Sequence, residues 1–239
     1  MVTNAVLVHG AWADGSSWSG VIRRLQDGGC QAIAVQLPLT SFGDDVAVTR
    51  RAIALRDGPI VLAGHSYGGM VISEAANNAP NVASLVYISA FANEEGEMLG
   101  EINARIAPAP GPTPLRFNDA GFVWVDQEAF PRVFAHDVDP AQTRVMAAVQ
   151  KPIAAKIFGE KPGKPAWKSI PSWYLISEDD RMIPAPLQKF MANRMGAISR
   201  TVPGSHASLV SHAEEAAQLI LDAAKAAAGG AATKKAVPA

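Results

Sequence analysis

A serine held between glycines is the sharpest chemical signal in this sequence. Residues 64–69 read Gly-His-Ser-Tyr-Gly-Gly, and they lie between a predicted buried strand and a predicted helix. The pattern Gly-x-Ser-x-Gly in this context is typical of a nucleophile elbow, where glycines allow a turn tight enough to expose the serine oxygen. The following helix directs its positive end and its free N–H groups toward that oxygen. Ser66 is therefore the predicted nucleophile.

A serine hydroxyl needs a base before it becomes a good nucleophile. The chain has five histidines. His206 is favoured because it lies on the predicted loop between the last strand and the final helix. His212 is the runner-up, since it stands at or inside that helix. His9 and His65 are interpreted as packing and hydrogen-bonding residues beside the site, and His136 as a surface residue with substrate contact as the alternative.

The imidazole in turn needs a carboxylate that fixes its tautomer and stabilises the imidazolium. In the chain order Ser, Asp or Glu, His, this acid lies on the loop after the preceding strand. That loop spans residues 177–184 and holds three acids. Asp180 is the first choice, because related loops place a proline four residues beyond the acid, here Pro184. Asp179 is the alternative, and Glu178 is the least favoured.

A tetrahedral intermediate also needs two backbone donors. The first is assigned to the N–H of Tyr67, directly after the nucleophile. The second is assigned to the N–H of Ala11, on the loop after the first predicted strand, where Gly10 lets the backbone approach a substrate closely. In the alternative interpretation, His9 and Gly10 only end that strand.

Six short strand-like runs, most of them apolar, predict the strands that must position these residues, namely residues 4–8, 31–35, 59–63, 84–89, 170–176 and 198–202. Segments of helical spacing alternate with these runs. Strands that are apolar throughout indicate a parallel sheet with both faces covered. The sequence therefore predicts an α/β fold with a mostly parallel, six-stranded sheet flanked by helices.

The alternation breaks between residues 92 and 168. Prolines cluster there at positions 108, 110, 112 and 114, aromatic residues are scattered, and one helical stretch covers residues 141–149. This length is too great for an ordinary loop and is typical of a lid. We expect a core formed by residues 1–91 and 169–239, with an inserted helical cap at 92–168. The tail from Gly229 is expected to fray.

The amino-acid composition excludes several classes of protein and function. The chain has 239 residues, a length that fits one α/β domain with an insertion. Hydrophobic residues make up 49% and charged residues 18%, which excludes a disordered chain. The net charge of −1 gives no general attraction to nucleic acid or to an anionic membrane.

Metal and membrane chemistry also lack sequence support. The single Cys30 excludes a disulfide framework and a cysteine-based metal cluster. The acidic spots at residues 44–45 and 136–139 lack regular ligand spacing and are interpreted as helix starts or turns. No apolar run is long enough for a transmembrane helix, and the first residues lack the features of a signal peptide. We therefore expect no metal and a cytoplasmic location.

Four motifs, at residues 9–12, 64–69, 180–184 and 204–206, stand in the order found in the α/β-hydrolase superfamily. More narrowly, the chain resembles small bacterial carboxylesterase-type hydrolases related to plant methylesterases and hydroxynitrile lyases. This resemblance implies a Ser/His/Asp triad, no cofactor and a helical cap.

The lyase branch of this group can be tested on two positions. Lyases resembling this chain carry Thr or Asn near the oxyanion loop, and some carry Lys just after the catalytic histidine. Gly10 and Ala207 occupy those places here, which argues against cyanohydrin cleavage. Perhydrolase-type activity uses the same triad and stays open.

The predicted function is hydrolysis of a small or medium, mostly uncharged ester, through an acyl-enzyme on Ser66. Four aromatic residues are candidates for lining its apolar pocket, namely Trp12, Phe117, Phe122 and Trp124. In the alternative interpretation, the aromatic residues of the insertion form a small core of their own. The rival function is a ligand-binding receptor of the same fold with little turnover. The oligomeric state is left open, a homodimer included.

Overall fold

The structure is a computed structural model that describes residues 4–106 and 113–229. Its strands are β1 (Asn4–Val8), β2 (Gln31–Val35), β3 (Ile60–His65), β4 (Val82–Ile88), β5 (Leu115–Phe117), β6 (Phe122–Val125), β7 (Ile153–Ala154), β8 (Ser172–Ser177) and β9 (Ile198–Val202). Its helices are α1 (Ser19–Asp27), α2 (Phe42–Ala54), α3 (Tyr67–Ala75), α4 (Leu99–Asn103), α5 (Phe130–Phe134), α6 (Pro140–Val149), α7 (Ala185–Met195), α8 (Ser208–Ser211) and α9 (Ala213–Ala228).

The large sheet has six strands in the order β2-β1-β3-β4-β8-β9. Each of its described strand pairings is parallel. Every residue of β1, β3 and β8 is buried, whereas β9 at the edge is exposed except for Val202. The predicted six-stranded α/β fold is therefore confirmed, and the uninterrupted apolar runs belong to strands covered on both faces.

Two layers of helices cover the two faces of this sheet. Val6 and Val8 of β1 face the apolar cluster that includes residues of α2, α3 and α7. Ala5 and Leu7 alternate with them and face the cluster that includes residues of α1 and α9. Because successive side chains of a strand point to opposite faces, one short apolar strand contributes to both cores.

The segment between β4 and β8 interrupts the large sheet in sequence. It contributes three short helices, α4 to α6, and a separate antiparallel sheet in the order β5-β6-β7. The helical stretch expected at residues 141–149 is α6, and the Asp139 side chain accepts hydrogen bonds from the N–H groups of Ala141 and Gln142 at its start. The sequence indicates a helical cap in this segment, and the small antiparallel sheet was not predicted.

Some expectations fall beyond the described residues. The prolines at positions 108, 110 and 112 and the tail from residue 230 onward lie outside them. Among the helices that the structure does describe, none combines the length and the apolar character needed to cross a membrane.

Candidate active site

Ser66 lies on a sharp turn between β3 and α3. Its backbone has φ of 53° and ψ of −125°, a conformation that costs a non-glycine residue about 1–3 kcal/mol. The neighbouring glycines make the turn possible. A Cβ on Gly64 would lie 2.6 Å from the Gly68 carbonyl oxygen, and a Cβ on Gly68 would lie 2.5 Å from the Val8 carbonyl oxygen. A larger residue at Gly64 would displace the first turn of α3, and a larger residue at Gly68 would push that helix away from β1.

Three side chains meet at this turn in a chain of hydrogen bonds. The Ser66 Oγ lies 2.9 Å from the His206 Nε2, and the His206 Nδ1 lies 2.8 Å from the Asp180 Oδ2. All three residues are buried. With the Asp180 carboxylate accepting a hydrogen bond from the Nδ1–H, the lone pair of Nε2 faces the serine hydroxyl.

Further donors hold the Asp180 carboxylate in place. Its Oδ1 accepts hydrogen bonds from the backbone N–H groups of Met182, at 2.7 Å, and Ile183, at 2.9 Å. Its Oδ2 accepts another from the Gln188 side chain, at 2.9 Å. The carboxylate is thus fixed by its own loop and by α7, and not only by the imidazole.

The competing acids and histidines lie elsewhere. Asp179 and Glu178 are exposed, and Glu178 pairs with Lys189 at 2.7 Å. His212 lies near Glu215, at 3.6 Å, instead of Ser66. The exposed His136 donates a hydrogen bond from Nε2 to the Asp179 backbone oxygen at 3.0 Å.

The two residues assigned as backbone donors lie beside the serine. Ala11 and Tyr67 both line the cavity that contains Ser66 and His206. Tyr67 is the first residue of α3, so its N–H has no acceptor within the helix. A Cβ on Gly10 would lie 2.6 Å from the Ser66 Cβ, which shows how closely the loop carrying Ala11 approaches the serine.

A Gly10→Ala substitution is expected to lower the stability of the fold by about 1–3 kcal/mol, because the added methyl group collides with Ser66. We also expect kcat to fall, since relieving the collision moves the Ala11 N–H. Gly43→Ala is the matched control, because a Cβ there has no neighbour within 4 Å. Thermal unfolding and ester turnover measure both effects. Equal stability of the two variants would contradict the close contact between Gly10 and Ser66.

His9 and His65 hold the surrounding backbone as neutral imidazoles. His9 donates from Nδ1 to the Gly10 oxygen at 2.8 Å and accepts at Nε2 from the Leu37 N–H at 3.0 Å, and burial lowers its pKa to about 4. His65 donates from Nε2 to the backbone oxygen of His206 at 2.8 Å, and burial lowers its pKa well below the usual value. Each ring therefore fixes one of the loops that meet at Ser66.

A buried acid that the sequence does not single out, Asp45, lies behind Tyr67. Asp45 accepts a hydrogen bond from the Tyr67 hydroxyl at 2.7 Å and another from the Leu39 N–H at 2.8 Å. Burial raises the pKa of Asp45 to about 6. The pair joins α2 to the first residue of α3, and thus holds the residue that follows Ser66. The sequence marks Asp45 only as part of a helix start.

An Asp45→Asn variant is expected to gain stability relative to the wild type as pH rises. The folded-state pKa lies above the unfolded value of about 3.9, so the contribution of Asp45 to stability is full below about pH 4 and is lost as pH rises through about 6. Asparagine never ionises and keeps an oxygen for the Leu39 N–H. Relative to the wild type, the free energy of unfolding of the Asp45→Asn variant should rise by about 3 kcal/mol between pH 4 and neutral pH. Urea unfolding from pH 4 to 8 tests this, and a difference that does not change with pH would contradict it.

The cavity over Ser66 has a volume of about 350 Å³ and mostly apolar walls. Trp12 is one of its lining residues; its Nε1 donates to the Val123 oxygen at 3.0 Å, and its ring stacks on Phe158 with 6.2 Å between the centroids. A larger cavity of about 630 Å³ lies behind His65, but its walls do not include Ser66. The chemistry of the side chains, and not the size of a cavity, therefore locates the site.

The other three aromatic candidates do not line the cavity over Ser66. Phe122 and Trp124 alternate along β6 with the buried Val123 and Val125, so they face the opposite side of the small sheet. Phe117 on β5 is 67% exposed. Because these strands are so short, the sequence carried no signal for which face would turn toward the site.

Comparison with known proteins places this geometry in a family. The profile described as "Alpha/beta hydrolase family" matches residues 5–219. "Alpha/beta hydrolase nvfD" of Aspergillus novofumigatus is 28% identical over 244 residues, covering 92% of this chain and 95% of the relative. A "Carbendazim hydrolyzing esterase" of a Nocardioides species is 33% identical over 122 residues, covering 45% of this chain and 50% of the relative.

Solved structures show the same architecture. A crystal structure of a pyrethroid hydrolase from Sphingobium faniae superposes with a TM-score of 0.79 at 25% identity, covering 96% of this chain and all of that chain. A methylesterase from Arabidopsis shares the fold, with a TM-score of 0.79 at 14% identity over 94% of this chain and 99% of that chain. The chain therefore belongs to the alpha/beta hydrolase family and is a hydrolase of the carboxylesterase type.

Proposed function

We propose that this protein hydrolyses small carboxylic esters through a covalent acyl-enzyme on Ser66. The observation that carries the proposal is the unbroken chain of hydrogen bonds from Ser66 through His206 to Asp180. A base at 2.9 Å from the hydroxyl can take its proton during attack, and a carboxylate on the far side of the ring stabilises the resulting charge.

In the first half of the reaction, the Ser66 Oγ attacks the ester carbonyl carbon while its proton passes to the His206 Nε2. The N–H groups of Ala11 and Tyr67 stabilise the oxyanion that forms. Collapse of the tetrahedral intermediate breaks the bond to the alcohol oxygen, and His206 returns the proton to that leaving oxygen. The products of this step are the free alcohol and the ester of Ser66 with the acyl group.

In the second half, water attacks the acyl carbon. His206 removes a proton from this water, and the same two N–H groups stabilise the second oxyanion. The intermediate collapses by releasing the Ser66 Oγ, which regains its proton from His206. The carboxylic acid leaves, and the side chains return to their starting protonation states.

The walls of the cavity favour an uncharged substrate. Apolar side chains such as Phe91, Leu99 and Ile183 surround Ser66, and no carboxylate is among the described residues that line the cavity. Within the part of the chain that the structure describes, Arg181 is the one permanently charged lining residue, and its Nη1 already donates to the Arg132 oxygen at 2.8 Å. An ester whose acyl and alcohol parts are small and apolar fits this chemistry.

A panel of p-nitrophenyl esters, assayed beside a fluorophosphonate label, tests the proposed function. We expect turnover of short-chain esters and stoichiometric labelling of Ser66 that abolishes it. Labelling with negligible turnover on every ester would instead favour a ligand receptor. Turnover that persists after complete labelling would exclude Ser66 as the nucleophile.

A further inference from the structure

One stretch of the inserted segment, residues 132–137, contacts both loops that carry the partners of Ser66. We call it the bridging segment. On the side of the acid, the Arg181 Nη1 donates to the Arg132 backbone oxygen at 2.8 Å. The His136 Nε2 donates to the backbone oxygen of Asp179 at 3.0 Å. These two bonds hold the residues immediately before and after Asp180.

On the side of the base, the bridging segment holds the backbone on both sides of His206. The Ala207 N–H donates to the Phe134 oxygen at 3.0 Å. The Ser205 N–H donates to the Asp137 Oδ2 at 2.9 Å, and the Ser211 hydroxyl donates to the same oxygen at 2.7 Å. The loop that carries the imidazole is thus attached before and after that residue.

The bridging segment also touches the imidazole ring itself. The Phe134 ring meets the His206 ring edge-on, with 4.8 Å between the centroids and an interplanar angle of 86°. Phe130 stacks on Phe134 at 4.6 Å and supports it from behind. Rotation of the imidazole away from Ser66 would have to displace this pair of aromatic rings.

Asp137 makes two of these attachments through its side-chain carboxylate. Hydrogen bonds to an ionised carboxylate are shorter and stronger than those between neutral groups. Partial burial opposes ionisation, but the bonds from Ser205 and Ser211 hold the pKa of Asp137 below its usual value. His212 lies 3.9 Å from the same oxygen. The loop before His206 is therefore tied to a charged group that none of the proposed chemical steps uses.

We propose that Asp137 is a positioning residue for the ester hydrolysis described above. Its carboxylate fixes the loop at Ser205, and through this loop it keeps the His206 Nε2 within reach of the Ser66 hydroxyl. This inference rests on the proposed function, because it assigns Asp137 an effect on the same reaction. Since the substrate cavity does not include Asp137, the effect should fall on kcat and not on KM.

Three variants separate positioning from general stability. Asp137→Ala removes both bonds, whereas Asp137→Asn keeps an oxygen that can still accept them. Asp139→Ala is the matched control, because Asp139 lies two residues beyond the bridging segment, caps α6 and contacts neither loop in the bonds described above. For each variant we would measure kcat, KM, the melting temperature and the rate at which a fluorophosphonate labels Ser66.

We expect Asp137→Ala to lower kcat and the labelling rate about tenfold, with KM changed less than about twofold, which corresponds to about 1.4 kcal/mol of lost transition-state stabilisation. Asp137→Asn should recover most of this loss. Asp139→Ala should lower the melting temperature and leave kcat within about twofold, because a lost helix cap affects stability alone. Should Asp137→Ala not fold, Ser211→Ala, which removes one donor, should lower kcat about threefold.

Several results would overturn the positioning role. One is an unchanged kcat in Asp137→Ala or in Ser211→Ala. Another is an equal loss of kcat in Asp137→Ala and Asp139→Ala. A third is an Asp137→Ala variant in which KM rises while kcat stays unchanged. Failure of the proposed function would look different: either the wild type would turn over no ester, or Ser66→Ala would hydrolyse the ester as fast as the wild type. The two inferences are therefore tested by separate variants.

Discussion

Replacing Ser66 by alanine is expected to abolish ester turnover while leaving the fold intact. In a comparable triad, loss of the serine lowers kcat by up to about 10⁶. In the proposed reaction the Ser66 Oγ is the attacking atom, and neither His206 nor the backbone donors can replace it. The substitution removes only the hydroxyl group of Ser66, so the backbone geometry of residues 64–69 has no reason to change.

The measurement is the turnover of a short p-nitrophenyl ester beside a thermal unfolding curve. Ser16→Ala is the control, because Ser16 is exposed and lies outside the cavity over Ser66. It should match the wild type in both assays. Activity of Ser66→Ala within tenfold of the wild type, with a normal unfolding curve, would mean that another group is the nucleophile.

Asp180→Asn is expected to have the second largest effect. In a comparable triad the same change lowers kcat by about 10⁴, because the amide favours the wrong tautomer of the imidazole. Here the Asp180 Oδ2 faces the His206 Nδ1 at 2.8 Å, so an amide nitrogen in that place would force the proton onto Nε2. The Nε2 could then no longer accept the proton of Ser66.

The matched variant is Asp179→Asn, which changes the neighbouring acid in the same way. Asp179 is exposed, and its backbone oxygen, not its side chain, accepts the bond from His136. The kcat of the Asp179→Asn variant should therefore stay near that of the wild type. If Asp179→Asn were the more damaging change, Asp179 would be the triad acid and Asp180 a structural residue of the loop.

Strand positions were largely predictable from local sequence. The bounds of β1 and β2 equal those of the predicted runs, because a short apolar run between turn residues has few alternatives in a parallel sheet. The bounds of β9 also match the prediction, although this edge strand reads Ile-Ser-Arg-Thr-Val and is mostly exposed. The small sheet was not predictable. Its strands have two to four residues, which is too short for a period of two to stand out.

Helix starts depended on caps that were only partly recognised. The apolar spacing places the start of α2 at Asp44, whereas the helix begins at Phe42. Ser41 is the cap, and its side chain accepts a hydrogen bond from the Asp44 N–H at 3.1 Å. A serine followed three residues later by an acid is a recognisable start signal, so this boundary was within reach of the sequence.

Some residues of the candidate site were likewise predictable from local sequence, and others were not. Ser66, His206 and Asp180 could be selected because each belongs to a short motif at the end of a strand. The supporting acids could not. Asp45 bonds to a residue 22 positions away and Asp137 to one 68 positions away, and neither pair has a local pattern. Only the packing of the whole chain brings those partners together.

The wide separation of the triad along the chain has a consequence for refolding. Ser66 and His206 are 140 residues apart, and the loop of His206 follows β9. This strand lies at the edge of the sheet and pairs with β8, which is itself paired to β4. Contacts between distant parts of a chain form slowly, because closing a long loop costs entropy first. Recovery of enzymatic activity after dilution from denaturant should therefore lag behind the return of helical circular dichroism, and a ribosome-bound chain that stops before β9 should be catalytically silent.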